Sequence, residues 1–283
     1  MALKMMYITR NPDVARIAEE AGVDRIWVDL EYIGKAERQV GIDSVQSHHS
    51  IEDIRTIRAV VSRSELLVRV NPIHEAPADY CDSRSEIEDA IAAGADLLML
   101  PYFNTVAEVE TFLRIVDGRV KTVLLLETPE AVELVDEILR LPGIDEIHIG
   151  LNDLSLGYKL PFMFELLANG TVERLCLKFR EAGIPYGFGG IASLGKGLLP
   201  AEDVIREHYR LGSTRVILSR SFCNAMNIKD VDEVRRVFLE GIRKIRAYEQ
   251  ECERHAAFFW DNRREAVSVI RAVSERLAKE RKV

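Results

Sequence analysis

The chain has 283 residues, 47% of them hydrophobic, which suits one large α/β domain with a sizeable core and a short extension. Its formal net charge of −8 argues against a nucleic-acid partner, because binding of a phosphate backbone draws on clustered Lys and Arg. No apolar run approaches the roughly 20 residues of a membrane span and no signal peptide is recognisable, so a cytoplasmic protein without a membrane partner is expected.

Short runs rich in Val, Ile and Leu alternate with longer amphipathic segments, as in repeated βα units around a parallel sheet. Strands are predicted at 5–9, 25–31, 65–71, 97–103, 122–128, 146–153, 185–192 and 214–222. Asn11 and Thr128 mark helix starts, and Gly22 and Gly212 mark helix ends. Eight such units without a dinucleotide-binding or P-loop motif favour a closed (β/α)8 barrel, or TIM barrel, over a doubly wound open sheet.

Two further helical patterns follow the eighth strand. The domain prediction is therefore a (β/α)8 barrel catalytic domain at 1–253 and a C-terminal helical extension at 254–283, packed on the barrel or on a partner subunit. Phe258, Phe259 and Trp260 form an aromatic cluster at the junction. We expect these aromatic side chains to bury apolar surface against another subunit, which predicts a homo-oligomer.

Reacting residues of such barrels lie at the C-terminal ends of strands, where several predicted strands here end in polar side chains. Glu127 follows four aliphatic residues, and a buried carboxylate at that place needs a partner. Asp153 is predicted to end the next strand. Because neighbouring strands lie roughly 4.8 Å apart, the two carboxylates can share one Mg²⁺ or Mn²⁺ ion. The alternative, that they are helix N-caps or ion-pair partners, stays open.

Two arginines add positive charge to the same rim. Arg69 would place a fixed cation beside the metal, as a developing enolate oxygen requires, and its alternative is an ion pair with Asp29 or Glu31. Arg220, followed by Ser221, is predicted to bind an anionic substrate tail, again with an ion pair as the alternative. The Gly-rich segment after the seventh strand lies where barrels often bind phosphate or carboxylate groups.

Five segments occur in a characteristic order along the chain. They are VDLE at 28–31, LLVRVN at 66–71, AGADLLMLPYFNTVAEVE at 93–110, LLLETPEAVELVDEI at 124–138 and GIDEIHIGLNDLS at 143–155. Together they resemble the aldolase/citrate lyase (HpcH/HpaI) family, across most of the barrel. The resemblance implies a metal-dependent barrel that makes or breaks a carbon–carbon bond next to a pyruvate-like or acetate-like fragment.

The resemblance also implies roles for individual residues. Glu127 and Asp153 would be the protein ligands of Mg²⁺ or another divalent metal, and Arg69 would contact the oxygen that becomes the enolate. Backbone amides around Gly150, Asn152 and Asp153 would receive the substrate carboxylate. The expected partner is thus a small anionic 2-oxo acid.

The residue after VDLE departs from the family pattern. By the resemblance, small 2-oxo acid aldolases carry a general-base His there, whereas this chain has Tyr32. His48 and His49, in the long loop that follows, are the predicted replacement, because His exchanges a proton near neutral pH. The alternative is that a neighbouring serine caps the next helix and both histidines are merely exposed. His148, at the opposite parity from Asp153 in the sixth strand, is predicted to be structural.

Three functional interpretations follow. The first is a metal-dependent lyase or aldolase that acts through the enolate of pyruvate or a related small 2-oxo acid. The second is a catalytically altered barrel that keeps the ligand pocket and acts as a binding or assembly component, which the missing base favours. The third is an acyl-CoA lyase related to citrate lyase.

Overall fold

A computed structural model of the chain describes residues 2–35, 49–77, 79–228, 230–255 and 258–280. In this part of the chain, parallel strands pair in sequence order and the last strand closes on the first, which confirms the predicted barrel. The strands are β1 Lys4–Ile8, β2 Arg25–Asp29, β3 Glu65–Arg69, β4 Leu97–Leu100, β5 Lys121–Leu126, β6 Glu146–Ile149, β7 Tyr186–Ile191 and β8 Arg215–Leu218. Several of them end earlier than predicted, so that polar residues expected at strand ends lie in the following loops.

The predicted signals at Asn11, Thr128, Gly22 and Gly212 each mark a helix start or end, and the helices surround the barrel. They are α1 Pro12–Ala21, α2 Ile51–Arg58, α3 Ser83–Ala92, α4 Val106–Val116, α5 Pro129–Glu133, α6 Val135–Ile138, α7 Leu151–Gly157, α8 Glu165–Ala168, α9 Thr171–Glu181, α10 Ala201–Leu211, α11 Val231–Arg254 and α12 Phe258–Glu280. The side chain of Asn11 accepts hydrogen bonds from two first-turn amides of α1. Gly22 and Gly212 follow α1 and α10 with φ of 91° and 72°, a left-handed conformation that favours glycine.

Side chains fill the interior of the barrel and leave its C-terminal mouth for a ligand. A separate apolar cluster that includes Met6, Trp27 and Leu125 occupies the middle. Near the N-terminal end, the buried Arg25 donates to both oxygens of Glu146 at 2.6 and 2.7 Å. Burial alone would raise the pKa of Glu146, but hydrogen bonds from Arg25 and Arg215 lower it to about 2. This ion pair closes the floor of the barrel.

The two C-terminal helices pack on the barrel of their own chain. Helix α11 lies against α1 and α10, and α12 lies against α10 and α8. Asn262 fastens α12, because its buried Nδ2 donates to the carbonyl of Asp203 at 3.2 Å and to Glu207 Oε1 at 3.3 Å. Trp260 remains 70% exposed, and the subunit contact expected at this junction stays a prediction. No helix in the described ranges is long and apolar enough to cross a membrane.

Candidate active site at the barrel mouth

A cavity of about 460 Å³ lies at the C-terminal mouth of the barrel. Its lining includes the predicted metal, enolate and substrate residues Arg69, Glu127, Gly150, Asn152, Asp153 and Arg220. An apolar wall is added by Trp27, Phe162 and Phe164, which sequence reasoning did not single out. The cavity therefore combines charged groups with an apolar enclosure, as is typical of small-molecule sites.

Glu127 follows β5 directly and is held in one orientation. It is 3% exposed, and its Oε1 accepts a hydrogen bond from the amide of Tyr102 at 3.1 Å. Tyr102 has a φ of 46°, a strained value for a residue other than glycine. On the other side, a Cβ atom at Gly150 would lie 2.5 Å from Glu127 Oε2, so only glycine permits this approach. Thr128, not Glu127, caps α5, which rules out the N-cap alternative for Glu127.

The prediction that Asp153 ends the sixth strand is wrong. Strand β6 ends at Ile149, the chain turns at Gly150, and Asp153 lies in the first turn of α7. The apolar run that contains the strand continues into the buried face of this helix, so hydrophobicity alone could not locate the boundary. Gly150 occupies the N-cap position, so Asp153 is not a cap either. Asp153 nevertheless lines the same cavity as Glu127.

Arg69 makes the ion pairs that the sequence left open as an alternative, and it also lines the cavity. Its Nε lies 2.7 Å from Asp29 Oδ1, and its Nη2 lies 2.8 Å from Asp29 Oδ2 and 3.1 Å from Glu31 Oε2. The guanidinium carbon lies 5.0 Å from the centre of the Trp27 ring. Within the described ranges, Nη1 has no hydrogen-bond partner, so its two donors are available to a ligand.

Lys35 joins Arg69, Asp29 and Glu31 in one charged cluster, and sequence reasoning missed it. Its Nζ lies 3.1 Å from Asp29 Oδ2 and 3.2 Å from Glu31 Oε2. Burial alone would raise the pKa of Asp29, but the charges of Arg69 and then Lys35 hold it well below its usual range. Two carboxylates and two cations thus form a buried neutral cluster. The available signal was the spacing of four residues from Glu31 to Lys35, which more often marks an exposed helix pair.

The structure describes one of the two predicted base histidines. His48 lies outside the described residues, and His49 is partly buried beside β2, where its Nδ1 accepts a hydrogen bond from the Asp29 amide at 3.0 Å. Burial lowers the pKa of His49, against the opposing charge of the Asp29 carboxylate. The neutral ring therefore carries its proton on Nε2. Ser50 caps α2, as the alternative interpretation predicted, but His49 is partly buried rather than merely exposed.

Two other side chains, Tyr32 and His148, are relevant to the question of which residue acts as the base. Tyr32 is 39% exposed and packs edge-on against Tyr80, and burial raises the pKa of its phenol, so it is poorly suited to accept a proton at neutral pH. His148 lines the cavity. The sequence placed it on the opposite face of the strand from Asp153, and this comparison failed because Asp153 does not lie on the strand. Its Nε2 lies 3.1 Å from the Gly189 carbonyl, and burial lowers its pKa to about 4. Its Nδ1 is buried and unpartnered within the described ranges.

The closed barrel and the charged cavity at its mouth together define a barrel enzyme, and a match to a family model shows which family it belongs to. The family model of the HpcH/HpaI aldolase/citrate lyase family matches residues 4–184, from β1 to the loop before β7. The chain belongs to this family of aldolases and lyases, as its motif order predicts.

Individual relatives are distant. The 4-hydroxy-4-methyl-2-oxoglutarate aldolase of Chaetomium globosum is 22% identical over 214 residues, which cover 64% of this chain and 72% of that protein. A family member from Burkholderia cenocepacia superposes with a TM-score of 0.61 at 17% identity, over 83% of this chain and 95% of that one. An aldolase from Desulfitobacterium hafniense gives 0.56 at 18% identity, over 86% and 93%. These superpositions support the fold.

Proposed function

We propose that this protein is a metal-dependent carbon–carbon lyase that acts through the enolate of pyruvate or a related small 2-oxo acid. The observation that carries the proposal is that Arg69, Glu127 and Asp153 line one cavity at the barrel mouth. Family membership supports the reaction class. The Chaetomium relative is named for a hydroxy-substituted oxo acid, and we extend that substrate class to this chain.

The residues at the mouth suit a divalent metal. Glu127 and Asp153 offer carboxylate oxygens to the same cavity, and hard cations such as Mg²⁺ and Mn²⁺ prefer oxygen ligands. The missing side chain at Gly150 leaves Glu127 Oε2 room that a Cβ atom would fill. Among the described residues, no group of three or more acidic, His or Cys side chains is arranged for a metal. Two carboxylates would hold the ion, and water and substrate would supply the remaining ligands.

The charges around the cavity suit the cleavage of a 4-hydroxy-2-oxo acid. This reaction removes the hydroxyl proton, breaks the bond between C3 and C4, and leaves the electron pair in the enolate of pyruvate. A bound divalent ion would supply positive charge for that enolate. The Nη1 donors of Arg69 would meet the same negative charge, and the ion pair with Asp29 fixes the plane of the guanidinium group before the reaction.

The amides at the start of α7 are the candidates for binding the substrate carboxylate. The amide of Gly150 donates to the carbonyl of Leu126 at 3.0 Å. Of the predicted carboxylate-binding amides, this one is therefore already used in a hydrogen bond within the barrel. The Asn152 amide lies in the first helical turn, where an N–H group has no acceptor within the helix. We therefore assign the carboxylate contact to the first-turn amides around Asn152 and Asp153.

The hydroxyl proton requires a base, for which we propose His48 or His49. In the described conformation, His49 uses its basic Nδ1 for the Asp29 amide. His49 can accept a proton only if this hydrogen bond opens. Separate replacement of the two histidines distinguishes them.

A substrate screen tests the proposed function. Oxaloacetate and a series of 4-hydroxy-2-oxo acids are incubated with the protein, with and without Mg²⁺ or Mn²⁺, and released pyruvate is measured. Pyruvate release that depends on the metal and is lost in Arg69→Lys supports the proposal, because lysine cannot reproduce the two-pronged contact with Asp29. Saturable binding of these acids without turnover would instead support a ligand-binding component.

A further inference from the structure

The side chain of Asn71, just after β3, is buried and uses every hydrogen-bonding position that an amide offers. Its Nδ2 donates to the carbonyl of Leu30 at 3.1 Å and to Glu86 Oε1 at 3.0 Å. Its Oδ1 accepts hydrogen bonds from the backbone amides of Tyr32 and Ile33, both at 2.9 Å. An amide group has two donors and two acceptor lone pairs, so this side chain is fully satisfied and held in one orientation.

The backbone contacts of Asn71 lie on both sides of Glu31 in the loop after β2. Glu31 is buried, and its Oε2 lies 3.1 Å from Arg69 Nη2 and 3.2 Å from Lys35 Nζ. Asn71 therefore holds the chain before and after a carboxylate that contacts the Arg69 guanidinium. We call Asn71 and Glu86 together the loop clamp.

Glu86 fixes Asn71 from the first turn of α3. It is 1% exposed, and its Oε1 accepts hydrogen bonds from both the backbone N–H and the Nδ2 of Asn71, each at 3.0 Å. Burial raises the pKa of this carboxyl, against the hydrogen bonds from Asn71. The described lining of the cavity at the barrel mouth includes neither residue, so the loop clamp acts on the site from behind.

We propose that Asn71 and Glu86 are positioning residues for the proposed reaction, which act through Glu31 on the catalytic Arg69. The loop clamp keeps Glu31 against Nη2, which already donates to Asp29 Oδ2 at 2.8 Å. With Nη2 spent on two carboxylates, Nη1 is the end of the guanidinium that remains for the enolate oxygen. The inference rests on the proposed function and deepens it, because it names what holds the enolate-binding cation in register.

Two substitutions of Glu86 test the loop clamp. Glu86→Leu removes the acceptor and should lower kcat for pyruvate release roughly a hundredfold, the cost of about 1 Å of misplacement, with a much smaller change in KM. Glu86→Gln keeps an oxygen acceptor for both donors of Asn71 and should retain most of the wild-type kcat. If Glu86→Leu does not fold, Asn71→Ser is the second variant. Its short hydroxyl has one donor and cannot serve both Leu30 and Glu86, so kcat should fall in the same way.

Glu249→Leu is the matched control for a purely structural role. Glu249, in α11, is 3% exposed and accepts a hydrogen bond from the backbone amide of Leu3 at 2.6 Å, before β1 at the other end of the barrel. Its loss should lower the urea midpoint as the loss of Glu86 does, because each leaves a buried backbone amide without its acceptor. The kcat of folded Glu249→Leu should nevertheless equal that of the wild type.

The NMR signal of the Arg69 Nε–H group separates this inference from the proposed function, because it needs no substrate. Nε donates to Asp29 Oδ1 at 2.7 Å, so its proton responds to small movements of the guanidinium. The signal should shift in Glu86→Leu and keep its wild-type position in Glu86→Gln and Glu249→Leu. If this pattern is seen but the wild type releases no pyruvate, the proposed function fails and the loop clamp stands. If pyruvate is released but Glu86→Leu keeps the wild-type kcat and Arg69 signal, or if Glu249→Leu changes both equally, the positioning role is wrong.

Discussion

Arg69 and Asp29 form a buried two-pronged ion pair, with Nε 2.7 Å from Oδ1 and Nη2 2.8 Å from Oδ2. Such a pair fixes the plane of the guanidinium group and leaves Nη1 directed to other contacts. Lys35 adds a second positive charge to the pair, with its Nζ 3.1 Å from the same Asp29 Oδ2. The cation that is proposed to meet the enolate is therefore held in place before any substrate binds.

Asp29→Asn should destabilise the fold. The variant keeps the size of the side chain but leaves Arg69 and Lys35 with one carboxylate in a buried place, which costs about 3–5 kcal/mol for comparable pairs. Urea unfolding measures the loss. Glu52→Gln, which removes an exposed ion pair with Arg55, is the control and should cost less than about 1 kcal/mol. Equal stability of the two variants would contradict the role given to this cluster.

Gly150→Ala should lower turnover with little effect on the backbone. Gly150 has a φ of −80°, which alanine adopts freely, but the added Cβ would lie 2.5 Å from Glu127 Oε2 and displace this carboxylate. A displacement of about 1 Å costs roughly a hundredfold in rate. Gly183→Ala is the control: its φ of 71° is strained but nothing lies within 4 Å, so stability should fall while turnover stays. Normal turnover in Gly150→Ala would show that Glu127 tolerates displacement.

Separate replacement of the histidines should identify the base. His48→Ala or His49→Ala should lower turnover by roughly 10² to 10⁴ while metal affinity stays nearly unchanged, and Tyr32→Phe should do much less. Because His49 holds the Asp29 amide, His49→Ala should also lower stability, whereas a base role alone predicts no such loss. Wild-type turnover in the double histidine variant, with loss in Tyr32→Phe, would transfer the role to the tyrosine.

The sequence predicted the barrel because its signals are local. Buried aliphatic runs specify the strands, and residues such as Asn11 and Gly22 cap helices through contacts with their own first or last turn. The meeting of Arg69 and Glu127 also follows from topology, because parallel strands of a barrel end on one face. The position of Asp153 did not follow from topology, because the change from strand to helix at Gly150 depends on packing against Glu127. Lys35 was missed because its partners meet only in the folded cluster.

Stability should fall as pH falls from about 6.5 toward 4. Burial lowers the pKa of His148 to about 4 and that of His208 well below its usual value, so the folded state keeps both rings neutral. The unfolded chain takes up these protons near pH 6.5, so the free energy of unfolding decreases by up to about 2.7 kcal/mol per pH unit. Urea midpoints between pH 7 and 4 measure this loss.

The control is the double variant His148→Gln, His208→Gln, which should reduce the slope in that window, and His49, whose pKa burial also lowers, should account for part of the remaining slope. The lowered pKa of Glu146, about 2, acts separately, because its stabilising contribution is lost only below about pH 4.5. A wild-type curve that is flat between pH 7 and 5 would contradict the neutral state of the two histidines.

Exchange of the methyl protons of pyruvate in D₂O tests the central claim most directly, because it follows enolate formation without knowledge of the second substrate. Proton NMR should show exchange that requires added Mg²⁺ or Mn²⁺, stops with a chelator, and is lost in Glu127→Gln and in Asp153→Asn. Glu130→Gln, in the first turn of α5 and exposed, should exchange as the wild type does. Exchange that continues at the same rate without metal, or in Glu127→Gln, would contradict a metal site on these two carboxylates.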